Sequence, residues 1–189
     1  MKKIVLFLLF SLSCITLLNA QTNMSTTPAA SMLFKNMKTK LSVAEKNEIA
    51  RLSKLLLSKD KKRFMIEEDA DPNYRVSAYP VDMNKDGKEE IFILENSGYF
   101  GQAGAQVRLY IKDASGKYQV VLDDTGIPGI LATMAGGYPE LQIGGPGFEQ
   151  PIYRFNGKMY TFYKKIKDGS IKKIMDVEET SKLYQGTVK

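Results

Sequence analysis

Residues 74–94 read YRVSAYPVDMNKDGKEEIFIL, and this stretch decides the fold. Tyr74, Val76 and Ala78 alternate with Arg75, Ser77 and Tyr79, the period-two pattern of a strand with two unlike faces. A polar segment, Asp82–Gly87, then breaks the pattern. Ile91-Phe92-Ile93-Leu94 follows as an unbroken apolar run, consistent with a strand buried on both faces. The same grammar continues toward the C-terminus. Val107, Leu109 and Ile111 alternate with Arg108 and Tyr110, Asp113–Lys117 (DASGK) forms a turn, and Tyr118–Leu122 returns. Tyr153-Arg154-Phe155 and Met159–Tyr163 flank Asn156-Gly157, a hairpin signal because both turn residues tolerate positive φ. A last pair of short strands is expected around Asp168-Gly169.

Toward the N-terminus the period changes. Ser42-Val43-Ala44-Glu45 fits a capping box, in which the serine hydroxyl and the glutamate satisfy each other's backbone N–H groups. Ile49, Ala50, Leu52, Leu55 and Leu56 follow as a helical apolar stripe, and Lys59–Arg63 ends it in a solvated connection. Residues 21–40, rich in Thr, Ser, Ala and Asn, read as a flexible lead. The expectation is an α+β fold, an N-terminal helix packed on an antiparallel β-meander, forming one domain over 41–189. No long repeat is visible, which argues against a multi-blade propeller.

The polar break carries the most specific chemistry. Asp82, Asn84 and Asp86 occupy alternate positions, Gly87 follows, and Glu90 closes the segment. Alternate side chains of a tight loop point inward together, and Ca²⁺ takes about six to eight oxygen ligands. Asp82, Asn84 and Asp86 would give side-chain oxygens, Lys88 its carbonyl, and Glu90 a carboxylate directly or through water. Glu89 is expected to face solvent. The helix-loop-helix version needs a glutamate where this chain has Ile93, so the loop reads as a strand-loop-strand calcium loop with a structural ion.

This Asp-x-Asn-x-Asp-Gly-x-x-Glu pattern before a strand resembles the loops of FG-GAP and integrin-type repeats. With the neighbouring residues added, Val81 to Tyr160 is similar to a group of small exported bacterial proteins carrying one such loop. The shared order is loop, apolar strand, Gly-rich turn, amphipathic strand and the Tyr153–Tyr160 hairpin. In that group two cysteines often bracket the Gly-rich turn; here Phe100 and Ala105 stand in those places. The resemblance implies a calcium loop on a β-meander, and no reaction.

Composition narrows the chemistry further. The 189 residues contain no His, no Trp and one Cys. Histidine-based triads, Cys-His dyads, histidine metal sites and internal disulfides are thereby excluded. Met1–Ala20 (MKKIVLFLLFSLSCITLLNA) has the basic start, apolar centre and small-residue end of a secretory signal. Cleavage after Ala20 would remove the cysteine, lower the formal charge from +6 to +4 and leave no transmembrane segment. Lipidation at Cys14 is the alternative, with Leu12 one place off the lipoprotein pattern. A periplasmic or secreted location follows, and nucleic acid is not an expected partner.

Glycine is dense between Gly98 and Gly147, interleaved with Tyr99, Phe100, Tyr138 and Phe148. These aromatics are the candidate face for an envelope glycan or protein, since a tyrosine combines a flat apolar ring with a polar tip. Gly98, Gly101 and Gly104 lack the Lys-Ser/Thr ending of a phosphate loop. Glu67, Glu68, Asp69 and Asp71, with Asp123 and Asp124, are the candidates for the alternative, a carboxylate-dependent hydrolase of envelope polysaccharide. An inhibitor of a secreted enzyme is a further alternative. The leading expectation is a noncatalytic exported binding module.

Overall fold

The computed structural model describes residues 24–66, 71–103, 105–145, 149–167, 169–170 and 172–176. The expected export signal over 1–20, Glu67, Glu68, Asp69 and Phe148 lie outside the described residues. The chain is β-rich, and its strands form antiparallel sheets. No helix among the described residues is long and apolar enough to cross a membrane.

The polar break of 82–87 separates β3 (Arg75–Val81) from β4 (Glu90–Asn96), which pair from Val81↔Glu90 to Arg75↔Asn96. A 3₁₀ segment, Gly98–Ala103, leads to β5 (Ala105–Lys112), and the Asp113–Lys117 turn leads to β6 (Tyr118–Thr125). The result is a four-stranded meander, β3-β4-β5-β6. In the turn, Asp113 Oδ1 accepts N–H bonds from Ser115 (2.8 Å) and Lys117 (3.1 Å), the local aspartate geometry that closes such hairpins.

A second sheet takes up the glycine-rich half, which sequence patterning reads mainly as turns. β7 (Ile127–Ala135) and β8 (Tyr138–Gly144) form a hairpin through Gly136 and Gly137, at φ of 61° and 83°. A Cβ on Gly136 would lie 2.3 Å from the Phe155 carbonyl oxygen, so this turn requires glycine. β9 (Glu149–Phe155) and β10 (Tyr160–Lys167) follow as the expected hairpin. Only Gly157 uses positive φ there; Asn156 instead accepts the Lys158 and Met159 N–H groups, each at 3.0 Å. β11 (Lys173–Asp176) does not pair with β10 as the sequence suggests. It crosses to the open edge of β7, giving the order β10-β9-β8-β7-β11.

The two sheets share a core. Phe92, Leu94, Val107 and Leu109 from the first meet Leu141, Ile143, Phe155 and Tyr160 from the second. The alternate residues of the first sheet, Ile91, Ile93, Tyr110 and Tyr118, join a second core with Leu33, Phe34, Ile49 and Ala50. Successive β4 side chains point to opposite faces, so its four apolar residues feed both cores and all are fully buried.

Leu33 and Phe34 come from the stretch read as a flexible lead. From Met24 on, that reading is corrected: Thr27 caps α1 (Pro28–Leu33), whose Ala30 and Leu33 are buried. Helix α2 (Val43–Ser53) starts with the Ser42–Glu45 capping box. It stops before the apolar stripe ends, because Lys54 turns left-handed at φ 54°. Leu56–Leu57 (β1) then pairs with Phe64–Met65 (β2), and the exposed 59–63 segment is the tip of that hairpin.

Candidate functional site

The 82–90 loop sits at one end of the first sheet. Positive φ at Lys85 (62°) and Gly87 (88°) curls it, and its polar side chains turn inward onto its own N–H groups. Asp82 accepts from Asp86 N (3.0 Å) and Gly87 N (2.9 Å), Asn84 Oδ1 from Asp86 N (3.2 Å), and Asp86 Oδ1 from Lys88 N (2.8 Å). Glu90 is buried, and its carboxylate accepts from Met83 N at 2.8 Å. Burial, reinforced by the nearby Asp86 and Asp82 charges, pushes the Glu90 carboxyl up to about 7 against the pull of the Met83 N–H. The loop thus brings Asp82, Asn84, Asp86, Lys88 and Glu90 together as a hydrogen-bonded unit. Among the described residues no group of three or more acidic side chains converges in a metal-holding arrangement. The carboxylates of Asp82 and Glu90 face backbone donors instead of a common centre. The donor set fits a hard cation in chemistry, since each Asp82 oxygen accepts one N–H and keeps a second lone pair.

Glu89 does not face solvent. It is half-buried, and its carboxylate accepts from the Thr39 hydroxyl and from Lys40 N at 3.0 Å, while Lys40 Nζ lies 3.5 Å from the Gly87 carbonyl oxygen. The Glu89 carbonyl accepts from the Tyr118 hydroxyl at 2.9 Å. The N-terminal segment is therefore latched to the loop, a long-range contact with no local signature.

The candidate aromatic face divides between two ends of the molecule. Tyr99 is 67% exposed and Phe100 half-buried in the 3₁₀ segment that follows β4. Tyr138 lies beyond the other end of that strand. Its hydroxyl is pushed up to about 12 by burial and by the charges of Glu90 and Asp86, and its ring packs edge-on against Phe155 at 4.9 Å. A seven-residue strand spans about 20 Å. Tyr138 thus serves the inter-sheet core and not the Tyr99–Phe100 surface.

Phe100 instead helps line a cleft of about 790 Å³ beyond the end of α2. Leu55, Leu56, Ile66 and Val120 supply its apolar wall, and Glu95, Arg108 and Asp123 its polar floor. Leu56 (54%) and Val120 (41%) are among the exposed large apolar residues of the chain. On the floor, Arg108 Nη1 lies 2.8 Å from Glu95 Oε1 and donates to the Ser53 carbonyl at 3.0 Å, and its Nε lies 3.5 Å from Asp123 Oδ2. The Tyr74 hydroxyl donates to the other Glu95 oxygen; burial first, then that bond and the Glu95 charge, raises the phenol far above its ordinary value. This network ties Tyr74, just before β3, and strands β4, β5 and β6 to the last turn of α2, where a cation also suits the helix dipole.

Sequence reading missed Glu95, Tyr74 and Arg108. The available signal was a glutamate ending the apolar run Ile91–Leu94, at the next position on the Ile91/Ile93 face. Of the carboxylates considered for hydrolysis, Asp71 closes a turn by accepting from Ser97 Oγ (2.7 Å), Asn73 N (2.7 Å) and Gly98 N (3.1 Å). Asp124 accepts from the Tyr153 hydroxyl, and Asp123 is held by Arg108 and Gln106. Comparison with protein-family models, curated proteins and solved structures gives no match.

Proposed function

We propose that the chain is an exported, noncatalytic binding module: an N-terminal helix laid on an antiparallel meander, with a structural Ca²⁺ in the 82–90 loop and an envelope glycan or protein as ligand. The observation that carries the binding reading is the cleft beneath Phe100. It combines an exposed apolar wall with a polar floor on which Arg108 pairs with Glu95 and Asp123, with Lys54 also lining it, so it offers shape and apolar surface together with polar groups. The export part rests on the layout of Met1–Ala20, and the ion on the oxygen donors at Asp82, Asn84, Asp86, Lys88 and Glu90. The FG-GAP resemblance rests on the same loop residues.

Two measurements test this reading separately. In pull-downs from envelope extract, wild type captures a glycan or protein and Leu56→Glu does not; equal capture by both removes the cleft from the proposal. In thermal melts, Ca²⁺ against chelator raises the midpoint of wild type but not of Asp82→Ala/Asp86→Ala. An ion at a hundredfold its Kd stabilises the folded state by about 2.7 kcal/mol. An unchanged wild-type midpoint removes the ion and leaves the cleft standing.

A further inference from the structure

From the β9–β10 hairpin we infer a second interaction surface, one that fits the face of an anionic phospholipid bilayer. Among β3–β10, whose burial is described along the strand, none shares the pattern of β10. Tyr160 is buried, Thr161 through Lys165 are all exposed, Ile166 is half-buried and Lys167 is exposed. A strand packed on one face should alternate; this one, at the edge of its sheet, is exposed at five consecutive positions and so on both faces. A register shift at Tyr163 adds to this, placing Phe162 opposite Tyr153 and Lys164 opposite Ile152.

The exposed side chains are of two kinds. Met159 (47%), Phe162 (57%) and Tyr163 (44%) present apolar surface. Lys158, Lys164, Lys165 and Lys167 supply positive charge, and among the described residues none of the four has a carboxylate within 4.0 Å. Among the described residues, Glu149 stands opposite Lys167 in the ladder, Glu140 is buried beneath Arg154, and Asp124 accepts from the hydroxyl of Tyr153, the residue opposite Phe162. Residues 158–167 contain four lysines and no acid.

The aromatics are held in place. Phe162 meets Tyr153 edge-on at 6.2 Å, and the Arg154 guanidinium lies 3.3 Å from the Tyr163 ring centre, with Lys164 Nζ at 5.2 Å. Arg154 is in turn anchored on Glu140, which also accepts from the Thr133 hydroxyl. Phe162 on the Tyr153 side of the hairpin and Tyr163 on its Arg154 side, with the exposed Met159 and lysines that meet no described carboxylate, match a sheet edge entering a lipid headgroup layer, where rings enter the interface and ammonium groups meet phosphates. A soluble polyanion would use the lysines and leave the exposed apolar area in water. That difference favours the bilayer.

The test is hydrogen exchange of the full chain, read on the 158–167 peptide, with vesicles of 70:30 phosphatidylcholine and phosphatidylglycerol at 0.1 M salt. Protection of this peptide is expected with those vesicles and not with pure phosphatidylcholine. Lys158→Gln/Lys164→Gln/Lys165→Gln should weaken the effect by about fivefold per lysine, and Met159→Ser/Phe162→Ser should weaken it on the anionic vesicles too. All five positions are exposed, and circular dichroism checks that the variants remain folded. No protection of 158–167, or protection unchanged in both variants, overturns the inference. The apolar Ile4–Phe10 stretch could hold the chain on vesicles by itself, which is why the readout is local. Protection by dextran sulfate without protection by vesicles also overturns it, in favour of a polyanion.

Discussion

β4 and β10 are strands of nearly equal length, and they meet opposite environments. β4 lies inside the four-stranded meander and is covered on both faces, by the second sheet through Phe92 and Leu94 and by the helical segments through Ile91 and Ile93. β10 ends its sheet and is exposed from Thr161 through Lys165, on both faces. Their compositions follow: Ile-Phe-Ile-Leu in one, Thr-Phe-Tyr-Lys-Lys in the other. The first strand joins layers, while the second is held by its hairpin ladder and by the Arg154–Glu140 anchor. Lysines and a bulge are also what natural sheets place on an edge to prevent further strand pairing. Edge protection and a lipid-facing surface are compatible uses of the same lysines.

If this contrast is correct, Phe92→Ala should have the largest effect, costing about 3–5 kcal/mol in urea unfolding because the inter-sheet core is left with a cavity. Next comes the polar end of the same strand. Arg108→Met leaves the buried Glu95 carboxylate uncompensated and should cost about 3 kcal/mol. Arg108→Met/Glu95→Leu should recover most of that loss, and a double variant as unstable as the single one would show the network does more than pair charges.

The β10 side yields smaller effects. At Glu140, burial opposes ionisation, but the Thr133 hydroxyl and Arg154 guanidinium prevail and hold the carboxyl below its ordinary 4.5. A folded-state value below the unfolded one contributes stability above about pH 4.5 and loses it as pH falls through the folded value. Wild type should therefore lose stability more steeply below pH 4.5 than Glu140→Gln; parallel curves would remove the anchor. Phe162→Ser should change stability least, by less than about 1 kcal/mol, since it gives up one edge-on ring contact at an exposed site. A larger loss would mean that β10 is part of the core after all.

Legibility in the sequence tracked how local the cause was. The capping box of α2, the Asp113 turn and the Asn156-Gly157 hairpin are written in neighbouring residues, and each was readable there. The unbroken Ile91–Leu94 run signalled a doubly covered strand, because only a strand between two layers tolerates apolar residues at consecutive positions. β7 and β8 were obscured by the glycines around them, which mark the turns strongly and dilute the alternation between. α1 was hidden by the polar residues on either side of it, since only Ala30, Leu33 and Phe34 need to be buried to fix so short a segment. In the 82–90 loop, the residue set was legible and its orientation was not. The sequence does not reveal that Asp82 straddles two N–H groups or that Glu89 latches residues 39–40.

By itself, then, the sequence determined the β-rich character, the antiparallel hairpins and the oxygen-rich loop, because these follow from side-chain period, turn chemistry and donor type over a few residues. Only the tertiary structure decided that the strands divide into two facing sheets, that β11 joins β7, that Glu95, Arg108 and Asp123 meet under Phe100, and that Tyr138 lies apart from Tyr99. Those outcomes depend on contacts between segments tens of residues apart. They are selected by which arrangement buries Ile91, Phe92, Ile93 and Leu94 together, a cooperative demand that no short window of sequence expresses.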